Sequence, residues 1–218
     1  MQQVYDAVLF DLDGTLSDSI ELILSSYRHT MKTHLGKELP DELWLRGVGT
    51  PLDIQLSEFA RSPEEVVQMR KTYSLYYVER HDAEVGMFPG AIEALCELKN
   101  QGIKVGLVTA KSKVGAERTL RKHELMDFFD VVVSADDTQR GKPHPDPVLF
   151  ALKQLGVSPK RACFVGDSTH DIQAGNAAAV DSIAVEWGPY PRQLLDECNP
   201  TKWLKTPAEI AQLGKPSS

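Results

Sequence analysis

Cysteine is scarce in this chain of 218 residues, which contains only Cys96, Cys163 and Cys198. The three lie far apart and show none of the close pairing that is typical of metal sites built from cysteine. An odd number of cysteines in a chain of this length also argues against a disulfide framework and indicates reduced thiols. We therefore expect a cytoplasmic protein.

Positive charge is also in short supply. Lys and Arg together number 24 against 31 Asp and Glu, which gives a formal net charge of −7 at pH 7. This balance provides no general attraction to nucleic acid or to an anionic membrane surface, because both require concentrated positive charge. An anionic substrate would need local capture against the field of the whole protein, and a metal ion would provide it.

Long hydrophobic runs are absent, since no apolar stretch approaches the length needed to span a membrane. The first six residues, MQQVYD, lack the basic region of a secretion signal. A hydrophobic content of 42% is nevertheless enough for one sizeable core with a smaller appended domain. We expect no membrane or nucleic-acid partner, and a chain that is a monomer or a homodimer.

Short apolar, β-prone segments alternate with helical patterns along most of the chain. Helices are predicted, for example, at residues 90–101 and 147–155, between such segments. The alternation predicts an α/β fold, a Rossmann-like doubly wound parallel sheet with helices on both faces. The predicted strands cover residues 4–10, 103–108, 131–134, 162–165 and, as a weaker fifth, 182–185.

The stretch from about Leu16 to Phe88 interrupts this alternation, because it contains several helical patterns and no convincing strand. One helix is predicted from near Ser19 to Leu35, with its apolar residues on one stripe. Another begins at Ser62, with proline at the first helical position and Glu65 placed for a capping box. We predict a core domain of residues 1–16 and 87–218, and an inserted, all-helical cap domain of residues 17–86.

Two carboxylates, Asp11 and Asp13, follow the first predicted strand in the sequence FDLDGT. Ligands of open α/β sheets bind at the carboxyl ends of strands, so this position suggests a site. A carboxylate can accept a phosphoryl group, but it meets a repulsion of roughly 4 kcal/mol per charge pair at about 4 Å from a phosphate oxygen. Mg²⁺ offsets such repulsion because it takes carboxylate and phosphate oxygens together. A plain turn is the alternative, since Asp and Gly are common where strands end.

The ends of later strands also carry polar side chains. Thr109 ends the second strand, where its hydroxyl can bond a phosphate oxygen, although Thr is common in strands and caps generally. Lys142 lies in the stretch RGKPHP, whose prolines hold the backbone extended and fix the direction of the ammonium; a rigid solvated loop is the alternative. Asp167 follows another strand, and Asp171 comes four residues later, where stabilisation of a helix start is the alternative.

Four consecutive strand ends thus carry Asp/Asp, Thr, Lys and Asp/Asp in that order. In this the chain resembles the haloacid dehalogenase superfamily of phosphotransferases, with a match to all four family motifs over nearly the whole chain. The helical insertion is similar to the C1-type cap of that superfamily. The stretches GKPHPDP at 141–147 and AVEWG at 184–188 make the chain similar to its phosphoglycolate phosphatases and to a group of bacterial pyrophosphatases with the same cap.

The resemblance implies a role for each motif residue. Asp11 would be the nucleophile that forms an aspartyl-phosphate, and Asp13 would protonate the leaving oxygen and then activate the hydrolytic water. Thr109 and Lys142 would hold the phosphoryl oxygens, and Ala110 would lie beside them in the substrate site.

The implied cofactor is Mg²⁺. The resemblance assigns it to Asp11, the backbone carbonyl of Asp13, Asp167, and Asp171 either directly or through a water. Dehalogenases of the superfamily resemble this chain at the nucleophile, but they lack an acid at the second position and need no metal. The aspartates at 13, 167 and 171 therefore favour a phosphatase.

The implied activity is hydrolysis of a small phosphorylated metabolite, a phosphate monoester with 2-phosphoglycolate favoured. An inorganic pyrophosphatase with the same site, a phosphomutase similar to β-phosphoglucomutase and a non-catalytic binding module are the alternatives. Arg46, in the stretch LRGVGTP, is a candidate for binding a substrate carboxylate or second phosphate. A solvated arginine in an interhelical turn is the stronger interpretation of that residue.

Overall fold

The computed structural model describes residues 4–214. Within that range, most of the short apolar segments form strands close to their predicted bounds. The first is shorter than predicted, since it begins at Ala7 and not at Val4. The strands are β1 Ala7–Phe10, β2 Ser17–Asp18, β3 Gly86–Met87, β4 Lys104–Val108, β5 Val131–Val133, β6 Ala162–Gly166, β7 Asp181–Val185 and β8 Lys202–Leu204.

The helices predicted at residues 19–35, 90–101 and 147–155 form close to their predicted bounds, and α4 begins directly after Ser62 as its capping residues predict. Two short 3₁₀ helices, at Pro159–Arg161 and Pro207–Leu213, complete the described part of the chain. No helix among the described residues combines the length and apolar character that a membrane crossing requires. The α-helices are α1 Ile20–Leu35, α2 Asp41–Leu45, α3 Leu52–Ser57, α4 Pro63–Glu84, α5 Ala91–Asn100, α6 Lys113–Lys122, α7 Asp146–Leu155, α8 Thr169–Ala177 and α9 Arg192–Asp196.

The main sheet is parallel and has the strand order β5-β4-β1-β6-β7-β8. Side chains alternate across its central strand β1. Val8 and Phe10 face a core layer that α5, α6 and the last 3₁₀ helix complete. Ala7 and Leu9 face the opposite layer, which α7 and α8 cover. Both faces are therefore covered by helices, and the predicted Rossmann-like α/β fold is confirmed.

Helices α1 to α4, which we call the helical insertion, build a separate hydrophobic cluster. The α1 stripe packs there: Tyr27 stacks on Trp44 with ring centroids 4.4 Å apart, and Met31 is fully buried. Gly36 ends α1 in the left-handed conformation, as a C-terminal glycine commonly does. The division of the chain into domains at residues 16 and 87 stays a prediction.

Two features of this region differ from the sequence interpretation. Strands β2 and β3 pair antiparallel, so the chain enters and leaves the insertion side by side. Two-residue strands carry too little periodicity to be read from sequence. The capping box at α4 is also incomplete: the Ser62 hydroxyl accepts from the Glu65 amide, but the Glu65 carboxylate accepts from the Arg61 amide. Arg61 also pairs with Glu65 through its guanidinium, which accounts for this choice of partner.

Candidate active site

The parallel sheet places three motif strands next to one another. Phe10 of β1 lies in register with Leu107 of β4 and with Val165 of β6. The residues that follow, among them Asp11, therefore lie together at the carboxyl ends of these strands, which we call the sheet edge. The Asp11 amide donates to the Val165 carbonyl at 2.9 Å, which extends the sheet pairing up to the functional side chain.

Lys142 reaches this edge from the loop before α7, and its ammonium is enclosed by carboxylates. Its Nζ lies 2.7 Å from Oδ1 of Asp11 and 2.6 Å from Oδ1 of Asp171. Burial alone would lower the pKa of Lys142, but the two carboxylates outweigh it and the pKa is raised. The lysine is therefore a fixed positive charge beside Asp11.

Three buried carboxylates meet here: ligand oxygens of Asp11, Asp167 and Asp171 all lie within 4.8 Å of one another. Burial, followed by the neighbouring carboxylates, raises the pKa of Asp167 well above its usual range. Burial likewise raises the pKa of Asp11 to about 7, even though Lys142 acts in the opposite direction. Negative charge at this cluster is thus only partly compensated by the protein.

The donor set of this cluster fits a magnesium ion. Oδ1 of Asp167 accepts from the Thr15 hydroxyl at 2.7 Å, whereas its buried Oδ2 has no partner among the described residues. A buried carboxylate oxygen without a partner is costly unless a cation satisfies it. Hard oxygen donors with excess negative charge are the ligands that Mg²⁺ prefers.

Asp171 combines two roles that the sequence left as alternatives. At the third position of α8, its Oδ2 accepts from the Ser168 amide at 3.0 Å and from the Ser168 hydroxyl at 2.6 Å, completing a capping box. Its Oδ1 accepts from Lys142 at 2.6 Å. The residue therefore stabilises the helix start and also belongs to the acidic cluster.

Glycines leave the space in which these carboxylates lie. A Cβ at Gly166 would lie 2.3 Å from Cβ of Asp171, and one at Gly188 would lie 2.3 Å from Cβ of Asp167. Gly14 has φ +84°, and a Cβ there would meet Oδ2 of Asp167 at 2.5 Å. A side chain at any of the three positions would displace a carboxylate of the cluster.

Asp13 lies next to this cluster but is held by other partners. Its Oδ1 accepts from the Ser19 hydroxyl at 2.5 Å and from Nζ of Lys111 at 2.6 Å, and its Oδ2 accepts from the same Nζ at 2.7 Å. Lys111 also donates to the hydroxyl of Tyr77, on α4, at 2.8 Å. Sequence reasoning missed both partners of Asp13, Ser19 and Lys111, and also Tyr77. Only Lys111 carried a signal, because it follows the motif residue Thr109 by two positions.

A cavity of about 880 Å³ lies between the sheet edge and the helical insertion. Asp11, Asp13, Thr109, Ala110 and Asp167 line it, as their predicted positions require. Besides Lys111, three further cations that sequence reasoning missed line it; they belong to α4 and α6 and are Arg70, Lys71 and Arg118.

Arg46 is not among the residues that line the cavity, so the structure does not bring this predicted substrate ligand to the site. Its backbone carbonyl instead accepts from the Tyr190 hydroxyl at 3.2 Å, and the Val48 carbonyl accepts from the same hydroxyl at 3.0 Å. Gly49 packs against Ser168 and His170 at the start of α8. Arg46 is exposed, and the loop contacts the core through its two carbonyls and Gly49.

Residues 8–185 match the model of the family described as haloacid dehalogenase-like hydrolase. Pyrophosphatase PpaX of Bacillus cereus strain AH820 is 39% identical over 205 residues, which cover 94% of each chain.

Two solved structures are similar to this chain over nearly its whole length. One protein of Lactobacillus plantarum, assigned as a phosphoglycolate phosphatase, superposes with a TM-score of 0.86 at 28% identity, covering 97% of this chain and all of that one. A protein of Thermotoga maritima assigned as a β-phosphoglucomutase gives a TM-score of 0.74 at 28% identity, covering 95% of this chain and 97% of that one. The chain belongs to the haloacid dehalogenase-like hydrolase family.

Proposed function

We propose that the chain is a magnesium-dependent phosphatase that works through a phosphoryl group carried by Asp11. The observation that carries this proposal is the position of the Asp11 carboxylate. It lines the cavity, accepts from Lys142 at 2.7 Å and belongs to the buried acidic cluster with Asp167 and Asp171. A carboxylate in this position can attack a phosphorus atom presented from the cavity.

Asp11, Asp167, Asp171 and the backbone carbonyl of Asp13 would hold Mg²⁺. When bound, the ion supplies positive charge that offsets the repulsion between an attacking carboxylate and an anionic phosphate. Lys142 adds a second fixed positive charge at the nucleophile. Thr109, which is buried and lines the cavity, offers a hydroxyl to a phosphoryl oxygen.

The proposed reaction has two steps that Asp13 connects. In the first, an Asp11 carboxylate oxygen bonds to phosphorus, the bond from phosphorus to the leaving oxygen breaks, and Asp13 gives that oxygen its proton. In the second, Asp13 takes a proton from a water molecule as the water oxygen bonds to phosphorus, and the bond to Asp11 breaks. Inorganic phosphate leaves, and both aspartates return to their starting states.

The proposed substrate is a small phosphate monoester, with 2-phosphoglycolate first; the likeness to the Lactobacillus plantarum structure supports it. Inorganic pyrophosphate is the second candidate, and the likeness to the pyrophosphatase of Bacillus cereus favours it. A phosphomutase is the third, on the likeness to the Thermotoga maritima structure. We further propose that the enzyme works in the cytoplasm as a monomer or homodimer.

Phosphate release by the full chain tests this function. With Mg²⁺, we expect release from a panel of small phosphate esters and pyrophosphate, loss of release with EDTA, and recovery on adding Mg²⁺ back.

Asp11→Asn should lower kcat by at least about 10³-fold, because an amide is a poor nucleophile and metal ligand. Asp127→Asn, at an exposed position, is the matched control and should leave kcat unchanged. Normal turnover by Asp11→Asn would refute the nucleophile, and isomerisation of sugar phosphates without phosphate release would favour the mutase.

A further inference from the structure

One buried cation in the cavity has no role in the proposed reaction. Lys111 follows β4 and precedes α6, and its side chain is 14% exposed. Its ammonium donates to both carboxylate oxygens of Asp13, and to the hydroxyl of Tyr77, and it lies 4.8 Å from the centre of the Tyr77 ring. It therefore joins the proposed acid–base residue to helix α4 of the insertion.

The geometry places Lys111 on the leaving-group side of the site. In the proposed reaction the leaving oxygen takes its proton from Asp13, so the leaving group lies against that carboxylate. Nζ of Lys111 is only 2.6 and 2.7 Å from the two oxygens of Asp13. Atoms a few bonds beyond the leaving oxygen therefore come within reach of the ammonium. A carboxylate or phosphate there would form a charge-assisted hydrogen bond.

The cavity lining carries cations as well as carboxylates, although the protein as a whole is negative. Apart from Asp11, Asp13 and Asp167, the lining contains two carboxylates and four cations, in a chain of net charge −7. Three of the four cations are paired with carboxylates: Arg70 lies 3.5 Å from Asp53, Arg118 lies 2.9 Å from Asp82, and Lys111 lies 2.6 Å from Asp13 itself. Lys111 is the member of this set that touches Asp13 directly. The full set is Arg70, Lys71, Lys111 and Arg118, with Asp53 and Asp136.

We propose that Lys111 is a specificity residue that binds a second anionic group on the leaving side of the substrate. The inference rests on the proposed phosphatase function and narrows its substrate class to phosphate compounds whose leaving group is itself anionic. Both 2-phosphoglycolate, through its carboxylate, and pyrophosphate, through its second phosphate, satisfy this condition. The side chain that captures the second anion is then Lys111, whereas the candidate from sequence was Arg46, for which a solvated arginine was the stronger interpretation.

Matched substrates test the inference. We would measure kcat and KM with Mg²⁺ for 2-phosphoglycolate and pyrophosphate, and for 2-hydroxyethyl phosphate, whose leaving group is neutral. Lys111→Met should lower kcat/KM for the anionic pair about 10- to 100-fold more than for the neutral ester, mainly through KM, as loss of a charge-assisted hydrogen bond predicts. Lys113→Met removes an exposed lysine two positions away and should leave the ratio unchanged.

A second pair of variants separates charge from structure. Lys111→Gln keeps a donor toward Asp13 and Tyr77 without the charge, and should show the same loss of selectivity. Lys111→Arg keeps the charge and should retain the preference for anionic leaving groups. Equal losses on all three substrates in Lys111→Met and Lys111→Gln would overturn the inference, because Lys111 would then act only through Asp13.

The outcome also distinguishes this inference from the function on which it rests. A wild-type protein that releases phosphate from none of the three substrates contradicts the phosphatase and the inference with it. A wild-type protein that releases phosphate, but whose substrate preference survives both uncharged variants, contradicts only the inference.

Discussion

The two walls of the cavity differ in how their charges are held. On the sheet edge, Asp11, Lys142, Asp167 and Asp171 are at most 5% exposed, and the lysine is bonded to two of the three carboxylates. On the insertion side, α4 presents exposed residues, among them Val67, Lys71 and Val78. The first wall is fixed by a buried network, and the second is a surface that faces the cavity.

This difference concerns the reaction centre and its contacts with the insertion. Strands in register place the buried groups to within hydrogen-bonding distance, which is what a reaction centre requires. The insertion meets the core through polar contacts that include Tyr77 with Lys111, His81 with Thr119, and the loop carbonyls of Arg46 and Val48 with Tyr190. In the proposed function, reaction chemistry lies on the sheet edge, and the insertion contacts the proposed specificity residue Lys111 through Tyr77.

The largest effect should come from breaking the buried network. Lys142→Met removes the positive charge that lies 2.7 Å from Asp11 and 2.6 Å from Asp171. We expect kcat to fall by roughly 10²- to 10³-fold and the free energy of unfolding by about 3–5 kcal/mol, because two carboxylates stay buried without their partner. Phosphate release and urea unfolding measure the two quantities. Lys153→Met, at an exposed position of α7, should change neither, and near-normal turnover by Lys142→Met would contradict a fixed network.

A smaller effect should follow from filling the space behind one carboxylate. Gly188→Ala places a Cβ 2.3 Å from Cβ of Asp167, so the carboxylate must move. We expect a destabilisation of about 1–3 kcal/mol and a several-fold higher Mg²⁺ concentration at half-maximal activity. Activity measured against Mg²⁺ concentration tests this. The control is Gly86→Ala, where a Cβ would have no atom within 4 Å. An unchanged Mg²⁺ response in Gly188→Ala would show that Asp167 does not need its present position.

The sheet edge is also the part of the molecule that the sequence predicts well. Apolar segments followed by Asp11, Thr109 and Asp167 predict where strands end, and a parallel sheet brings such ends together. Helix α1 follows from its apolar stripe and ends at Gly36, as its composition suggests. For the strand ends and for α1 alike, the pattern of neighbouring residues in the sequence is enough to predict the structure.

The cavity wall opposite depends on contacts that no local pattern encodes. The bond from Lys111 to Tyr77 joins residues 34 positions apart, and α4 shows no apolar stripe that would orient its tyrosines in advance. Arg46 was chosen from sequence because it is charged and lies in a glycine-rich loop. The carbonyls of this loop instead accept from Tyr190. That residue is more than 140 positions away in the sequence, so no local pattern predicts the contact.

The smallest expected effect on stability comes from a change at the contact between Tyr190 and this loop. Tyr190→Phe removes only the hydroxyl that lies 3.2 Å from the Arg46 carbonyl and 3.0 Å from the Val48 carbonyl. One hydroxyl proton is shared between two acceptors, so we expect a loss of about 0.5–1.5 kcal/mol in unfolding free energy. Faster hydrogen exchange should be confined to amides around residues 46–51, because the loop loses a tether while the sheet edge keeps its own bonds.

Hydrogen exchange measured by mass spectrometry, with Tyr76→Phe as the matched hydroxyl removal, decides the point. Tyr76 stacks on His29 and Arg80, both within the insertion, so its variant leaves the contact between insertion and core intact. If Tyr190→Phe exchanges like Tyr76→Phe, the loop is held by its packing against α8 and not by the hydroxyl. If the sheet-edge amides of Asp11 and Thr109 also exchange faster, the two walls are not independent. The order of the reaction centre would then depend on the loop of the insertion.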